Sequence, residues 1–307
     1  MGANAAQIEL FPGFAHSTIP VGADGDDISI HCAHGGDGPP VLLLHGYPQT
    51  HAIWHKVAQR LAQDYSVVCA DLRGYGDSSK PAGAPDHANY SKRAMALDQV
   101  QLMDSLGFSR FAVVGHDRGG RAAHRLARDH RDRVTKLCVL DISPTLTMFD
   151  QTNLEFARAY YHWFFLIQPS PHPEHMIGLD PKYYLRWKTG GWGSAGHSFF
   201  DPRAYAEYER CYCDPAAIHA SCEDYRAAAQ IDLVHDRADL AEKIDCPVLV
   251  LWGERGVVNR CFKPIEDWSA VATKVRGKAL PSGHYIAEEV PEALLDELLP
   301  FLAGGSG

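Results

Sequence analysis

The stretch "VVGHDRGGRAAHRLA", residues 113–127, decides how the rest of the chain is read. Two valines run into Gly115-His116-Asp117-Arg118-Gly119, and an alanine-rich helical pattern follows. This is the form glycine-x-nucleophile-x-glycine at a strand-to-helix junction, where the turn is so tight that side chains two residues before and after the apex would clash. The apex residue is Asp117, where many hydrolases place serine, so acyl transfer by a serine nucleophile is excluded. A carboxylate there suits attack on an sp³ carbon, giving an enzyme ester that water must then cleave. Asp117 as a plain helix N-cap would explain neither the flanking glycines nor the arginines at 118 and 121. Those cations lie in the first helical turn, where the partial positive charge of the helix end makes them locally unfavourable.

Outward from this junction, short apolar runs bounded by turn residues recur: "DISIHC" (27–32), "PVLLLHG" (40–46), "SVVCAD" (66–71), "RFAVVGHD" (110–117), "KLCVLD" (136–141), "CPVLVLWG" (246–253) and "KVRGKAL" (274–280). From the second onward they are too apolar to alternate, as expected of parallel strands covered on both faces. Helical patterns lie around 52–63, 90–107, 119–130 and 291–302. The alternation predicts an α/β protein with a mostly parallel, doubly wound sheet. It stops after Pro144 and resumes near Asp239, and between them "YYHWFFL", "YYLRWKTGGWG" and "YAEYERCYC" show helical spacing without a convincing strand. That segment is too long for a plain loop. The expected organisation is a core in two parts, 1–143 and 239–303, with a helical cap inserted at 144–238.

Bulk properties narrow the function classes. At 307 residues and 46% hydrophobic the chain can bury a large core. A formal net charge of −9, without any block of like charge, speaks against a nucleic-acid partner. The stretch "MGANAAQIELFPGF" lacks the basic and apolar regions of a signal peptide, and no segment approaches the roughly 18 apolar residues of a membrane span. A cytoplasmic protein is expected. The eight cysteines (32, 69, 138, 211, 213, 222, 246, 261) show no CxxC spacing and read as reduced structural thiols. The closing "GGSG" carries no structural expectation.

An acid and a histidine follow Asp117 in chain order. Asp141 ends the run "KLCVLD", and His284 sits in "PSGHYIAEE" between the last strand and the C-terminal helix. His284 would take a proton from water, with Asp141 fixing its tautomer and stabilising the imidazolium. Glu254 in "LWGERG" is the competing acid; Gly256 stands in that loop where an aspartate might serve instead. Backbone N–H groups of Tyr47, in "HGYP", and of Arg118 are placed to hold the oxyanion formed when the ester is attacked.

The segments "HGYPQTHAIWHKVA", "ADLRGYGDSS", "GHDRGGRAAHRLA", "VLDISPT" and "SGHYIAEEVPE", with "HW" in the helical insertion, together resemble the fluoroacetate (haloacetate) dehalogenases of the α/β-hydrolase superfamily over nearly the whole chain. The resemblance implies conversion of a haloacetate to glycolate and halide without a cofactor. It also implies a homodimer. On this reading Arg118 and Arg121 grip the substrate carboxylate at a helix N-terminus, weaken its repulsion from Asp117 and orient the halogenated carbon. Relatives that act on uncharged haloalkanes carry tryptophan where this chain has Arg118, so the halide donors must come from elsewhere. His162, Trp163 and Tyr225 match the family's halide site, and each can donate a hydrogen bond to fluoride. Tyr47 departs from the family pattern, where phenylalanine is expected.

Other residues are expected to be structural. Arg125 and Arg128 read as surface residues, Asp71, Arg73 and Asp77 as a structural loop near the site, and His116 as packing at the elbow. His51/His55 and His172/His175 have metal-ligand spacing, but neither pair brings an obvious third ligand, so no metal is expected. Two alternatives stay open. One is an epoxide hydrolase, which shares the Asp-His-acid core and uses two cap tyrosines; the other is a non-catalytic small-molecule receptor on the same scaffold.

Overall fold

The computed structural model describes residues 10–22, 27–194 and 196–304; the first nine residues and 305–307, on which the leader and tail expectations partly fall, lie outside the described residues. One sheet contains β1 (Ala15–Val21), β2 (Ile28–Gly35), β3 (Pro40–Leu44), β4 (Ser66–Ala70), β5 (Phe111–His116), β6 (Val134–Leu140), β7 (Val248–Gly253) and β8 (Val275–Leu280). Their order is β1-β2-β4-β3-β5-β6-β7-β8. β2 pairs antiparallel with β1 and β4, and every pairing from β4 to β8 is parallel. The seven expected strands correspond to β2–β8.

β1 is absent from the sequence reading because AHSTIPV is a half-exposed edge strand with a proline near its end, which weakens the apolar signal. β8 corrects the expectation of strands covered on both faces. Lying at the opposite edge, it is mostly of intermediate exposure, whereas β5 is buried throughout.

The chain winds from β3 outward to β4 and then crosses to β5 on the other side of β3, which makes the carboxyl ends of β3 and β5 a topological switch point. Leu44, the last residue of β3, pairs with Gly115, so Tyr47 and Asp117 leave the sheet beside each other. Asp141 follows β6 and His284 follows β8, at the same carboxyl edge. Between β6 and β7, eight helices from Thr145–Asp150 to Ile231–Ala238 form without an intervening strand among the described residues. No helix among the described residues is long and apolar enough to cross a membrane.

Candidate active site

Asp117 occupies the N-cap position of the helix Arg118–Asp129, but its side chain makes no capping bond. Its backbone sits at φ 47°, ψ −112°, a sparsely populated conformation that stores strain and is found at functional turns. The glycines make this turn sterically possible: a Cβ at Gly119 would lie 2.4 Å from the carbonyl oxygens of Leu44 and His45, and one at Gly46 would lie 2.4 Å from the Asp117 Cβ. Freed from capping, Asp117 Oδ1 accepts the Tyr47 N–H at 3.0 Å. The Arg118 N–H forms no comparable bond to that carboxylate among the described residues. Against the effect of burial, His284 and Arg121 hold the Asp117 carboxyl below its ordinary range, so it is ionised at neutral pH.

His284 donates from Nδ1 to Asp141 Oδ2 at 2.6 Å, and the other Asp141 oxygen accepts the Gly253 N–H at 3.0 Å. Both side chains are buried. Against desolvation, the hydrogen bond and charge of Asp141 raise the His284 pKa above 6.5. The competing Glu254 is exposed at the end of β7. Gly256 explains the arrangement, since a Cβ there would stand 3.1 Å from Asp141 Oδ1.

Arg118 and Arg121 are both buried, at 0% and 2% exposure, although their sequence position alone is also that of surface helix residues. Arg118 is paired with Asp224 and lies 4.1 Å over the Tyr225 ring; its Nη1 has no partner. Arg121 donates from Nη1 to Thr145 Oγ1 at 2.9 Å and to the Ser143 carbonyl at 3.3 Å, and its Nε has no partner. It forms no ion pair among the described residues. Burial lowers Arg121 to about 10, so it remains a cation at neutral pH, with Asp117 the main charge in its favour.

Three aromatic side chains from the helical segment complete the surroundings. His162, Trp163 and Tyr225 are buried, and each keeps an unpaired polar atom: His162 Nδ1, Trp163 Nε1 and the Tyr225 hydroxyl. The His162 and Tyr225 rings are 5.5 Å apart, those of Trp163 and Tyr225 are 6.3 Å apart, and Arg121 lies 4.6 Å over Trp163. Desolvation, with Lys188 and His284 adding repulsion, keeps His162 well below its ordinary pKa and therefore neutral. Tyr47 stacks on His162 at 5.8 Å, and its hydroxyl, the departure noted above, is hydrogen-bonded to that of Tyr212 at 2.9 Å.

Several site residues escaped the sequence reading. Asp224, one position before Tyr225, binds Arg118 and Lys92 and accepts the Tyr75 hydroxyl at 2.7 Å. The Tyr160 hydroxyl lies 3.3 Å from His284 Nδ1, and the Trp192 ring packs edge-on to His284 at 5.0 Å. Trp192 also lines a cavity of about 620 Å³ together with Arg158, Arg186 and Lys188. The "DY" at 224–225 offered a signal for Asp224; nothing local distinguished Tyr160 or Trp192 from the other aromatics of the segment.

Arg125 and Arg128 correct the surface expectation, being only 3% and 5% exposed. Arg125 pairs with Asp129, Asp236 and Asp239, and Arg128 donates to the Glu242 carbonyl at 3.2 Å. Acceptors more than a hundred residues away cover the outer face of this central helix, which its own sequence could not indicate. His116 is buried at the elbow with Nε2 2.8 Å from the His284 carbonyl. In the loop, Asp71 engages His51, and Arg73 pairs with Asp98. His55 Nδ1 donates to the Ala52 carbonyl at 2.8 Å.

A family model described as the alpha/beta hydrolase fold matches residues 39–285. The chain is 49% identical over 294 residues to a fluoroacetate dehalogenase of Burkholderia sp, covering 96% of this chain and 95% of that one. It is 33% identical over 277 residues to a soluble epoxide hydrolase of Corynebacterium sp. (strain C12), covering 89% and 93%. A solved structure from Nostoc sp PCC 7120, described as a candidate alpha/beta hydrolase, superposes with a TM-score of 0.92 at 53% identity over 95% of this chain and 99% of that one. The chain belongs to the α/β-hydrolase family and, within it, to the branch that contains the fluoroacetate dehalogenases.

Proposed function

We propose that this enzyme hydrolyses fluoroacetate and other haloacetates to glycolate and halide through an ester on Asp117. The observation that carries the reading is a set of five buried side chains, Arg118, Arg121, His162, Trp163 and Tyr225, each with a hydrogen-bonding atom that has no partner among the described residues. Unpaired buried donors are costly, and a guanidinium without a carboxylate is more so. An anion with a halogen at the next carbon satisfies both groups at once. Arg121 and the free Nη1 of Arg118 hold the carboxylate; His162, Trp163 and Tyr225 donate to the leaving halide.

Asp117 attacks C2 and the carbon–halogen electron pair leaves with the halide. His284 Nε2 then takes a proton from water as the water oxygen attacks the Asp117 ester carbonyl. The Tyr47 and Arg118 N–H groups receive the developing oxyanion, and collapse releases glycolate and the Asp117 carboxylate. Residues 144–238 act as a cap on the two-part core. A homodimer and a cytoplasmic location belong to the same proposal; the eight free cysteines suit a reducing compartment.

A second reading, epoxide hydrolysis, has an observation in its favour: the hydroxyls of Tyr160, beside His284, and of Tyr225 could protonate an epoxide oxygen. An uncharged epoxide leaves Arg121 without a counter-ion. A receptor would have no use for the Asp117-His284-Asp141 set. A fluoride electrode with fluoroacetate, run beside a styrene oxide assay, separates these readings. Fluoride release is expected; diol formation without fluoride would establish the epoxide reading, and neither product would leave the receptor.

A further inference from the structure

A second cluster of unpaired histidines lies away from Asp117, on the edge hairpin of the sheet. In β1 and β2, His16 pairs with Ala33 and Thr18 with His31, so His16 and His31 are diagonal neighbours on one face of the hairpin. Their rings stack with centroids 6.0 Å apart. His51, from the short helical turn after "HGYP", brings its ring to 5.1 Å from His31 and 6.2 Å from His16. One ring nitrogen from each histidine lies within 4.8 Å of the other two.

These rings are short of partners, and His16 is the one histidine among the described residues with both ring nitrogens buried and unpaired. Among the described residues, His31 Nε2, His51 Nε2 and both nitrogens of His16 are buried without a hydrogen bond. His31 and His51 are 3% and 0% exposed. The far side of His51 is built as a metal ligand's would be: its Nδ1 and its backbone N–H both donate to Asp71 Oδ1, at 2.9 and 2.7 Å. A carboxylate on the opposite nitrogen fixes the tautomer, leaves Nε2 as the lone-pair donor and makes it more basic. His31 Nδ1 is similarly occupied by Thr18 Oγ1 at 3.3 Å. Phe11 stacks on His51 at 5.3 Å and meets His16 edge-on at 6.1 Å, giving the cluster an apolar cover.

We propose that His16, His31 and His51 form a three-histidine site for a transition-metal dication of the zinc type, which would clip the β1–β2 hairpin to the segment following β3. Imidazole ligands suit zinc and its neighbours, and three nitrogens leave one position for water. A tetrahedral ion with bonds of about 2.0–2.1 Å needs nitrogens roughly 3.3 Å apart, so modest ring rotation closes the set. Burial lowers His16 to about 4 and also lowers His31, which leaves both rings neutral at physiological pH. The other cluster of this kind among the described residues, Glu174, His219 and Glu223, differs because Arg226 already pairs with both glutamates.

Chelator-treated full-length protein titrated with Co²⁺ tests the site. The expected result is one Co²⁺ per chain with visible d–d bands of tetrahedral strength, displaced by Zn²⁺, and a higher unfolding midpoint with Zn²⁺. His16→Gln, at a half-buried ring with no hydrogen bond to lose, should weaken Co²⁺ binding by at least about tenfold. His31→Gln should do the same. A His172→Gln/His175→Gln control should bind as the parent does. Absence of saturable Co²⁺ binding overturns the proposal, as does binding unaffected by His16→Gln or lost equally in the control. Fluoride release plays no part in the readout, so this inference and the dehalogenase reading can fail separately.

Discussion

Asp224 grips the guanidinium of Arg118 through Nε at 2.8 Å and Nη2 at 2.6 Å, so that a residue of the helical segment orients a residue of the elbow and leaves Nη1, among the described residues, as the one guanidinium nitrogen without a partner. The same carboxylate neutralises Lys92. Asp224→Asn therefore leaves Arg118 without its carboxylate and Lys92 with Asp232 alone at 3.6 Å, and breaking a buried pair from one side costs about 3–5 kcal/mol. Urea unfolding should show that loss, and KM for chloroacetate should rise more than KM for chloroacetamide. Equal effects on both substrates would mean that Asp224 only stabilises the fold.

Arg121 predicts the opposite balance. Among the described residues it is a buried cation with no carboxylate in ion-pair contact, so replacing it by a similarly sized apolar residue removes a buried charge that the more distant Asp117 offsets only in part. Arg121→Met should be as stable as the parent, or more stable by about 1–3 kcal/mol. Haloacetate turnover should nevertheless fall at least a hundredfold, on the order of 3 kcal/mol. A variant that is both stable and active would remove Arg121 from the carboxylate site.

The unpaired donors of Trp163 and Tyr225 should matter most when the leaving group is fluoride, which accepts the strongest hydrogen bonds and departs from the strongest carbon–halogen bond. Loss of one such donor should cost on the order of 3 kcal/mol in the displacement step, by analogy with an oxyanion-hole donor. Trp163→Phe and Tyr225→Phe should thus lose fluoroacetate activity far more than chloroacetate activity in single-turnover measurements. Parallel losses would reduce both residues to packing.

His284 works as a base only when neutral, so activity falls as pH drops through its pKa. Asp141 raises that pKa against burial, so the acid limb of ester hydrolysis should lie at higher pH with the carboxylate in place than without it. Asp141→Asn withdraws the charge; the limb should move to lower pH while kcat drops because the tautomer is no longer held. A pH–rate profile of the deacylation step checks both effects, and an unmoved limb would point to another base.

His284→Asn should allow displacement but stall hydrolysis, leaving a stable ester on Asp117 that mass spectrometry detects after about one halide is released per site. Undiminished turnover would exclude the assignment.

The elbow, seven of the eight strands and the order Asp117, Asp141, His284 were legible because each depends on local pattern: a tight turn needs glycine, a covered strand needs an unbroken apolar run, and a fixed topology puts successive loops at one sheet edge. Asp141 and Glu254 each follow a strand, and Gly256 in the second loop was the signal that favoured Asp141; the structure adds the reason, since a Cβ at Gly256 would stand 3.1 Å from Asp141 Oδ1. Arg125 and Arg128 misled for a related reason: apart from Asp129, the partners that cover them lie beyond residue 235.

Chain-local chemistry determined the α/β class, the aspartate at the elbow apex and the arginines at 118 and 121, because steric and helical constraints act between residues a few positions apart. Folding alone decided that Arg118 is paired and Arg121 is not, that Asp224 and Tyr160 belong to the site, and that three histidines at 16, 31 and 51 converge. Those outcomes are set by desolvation and charge neutralisation between side chains brought together from distant segments, and a buried charge or an unpaired donor exists only once the surrounding chain has excluded water.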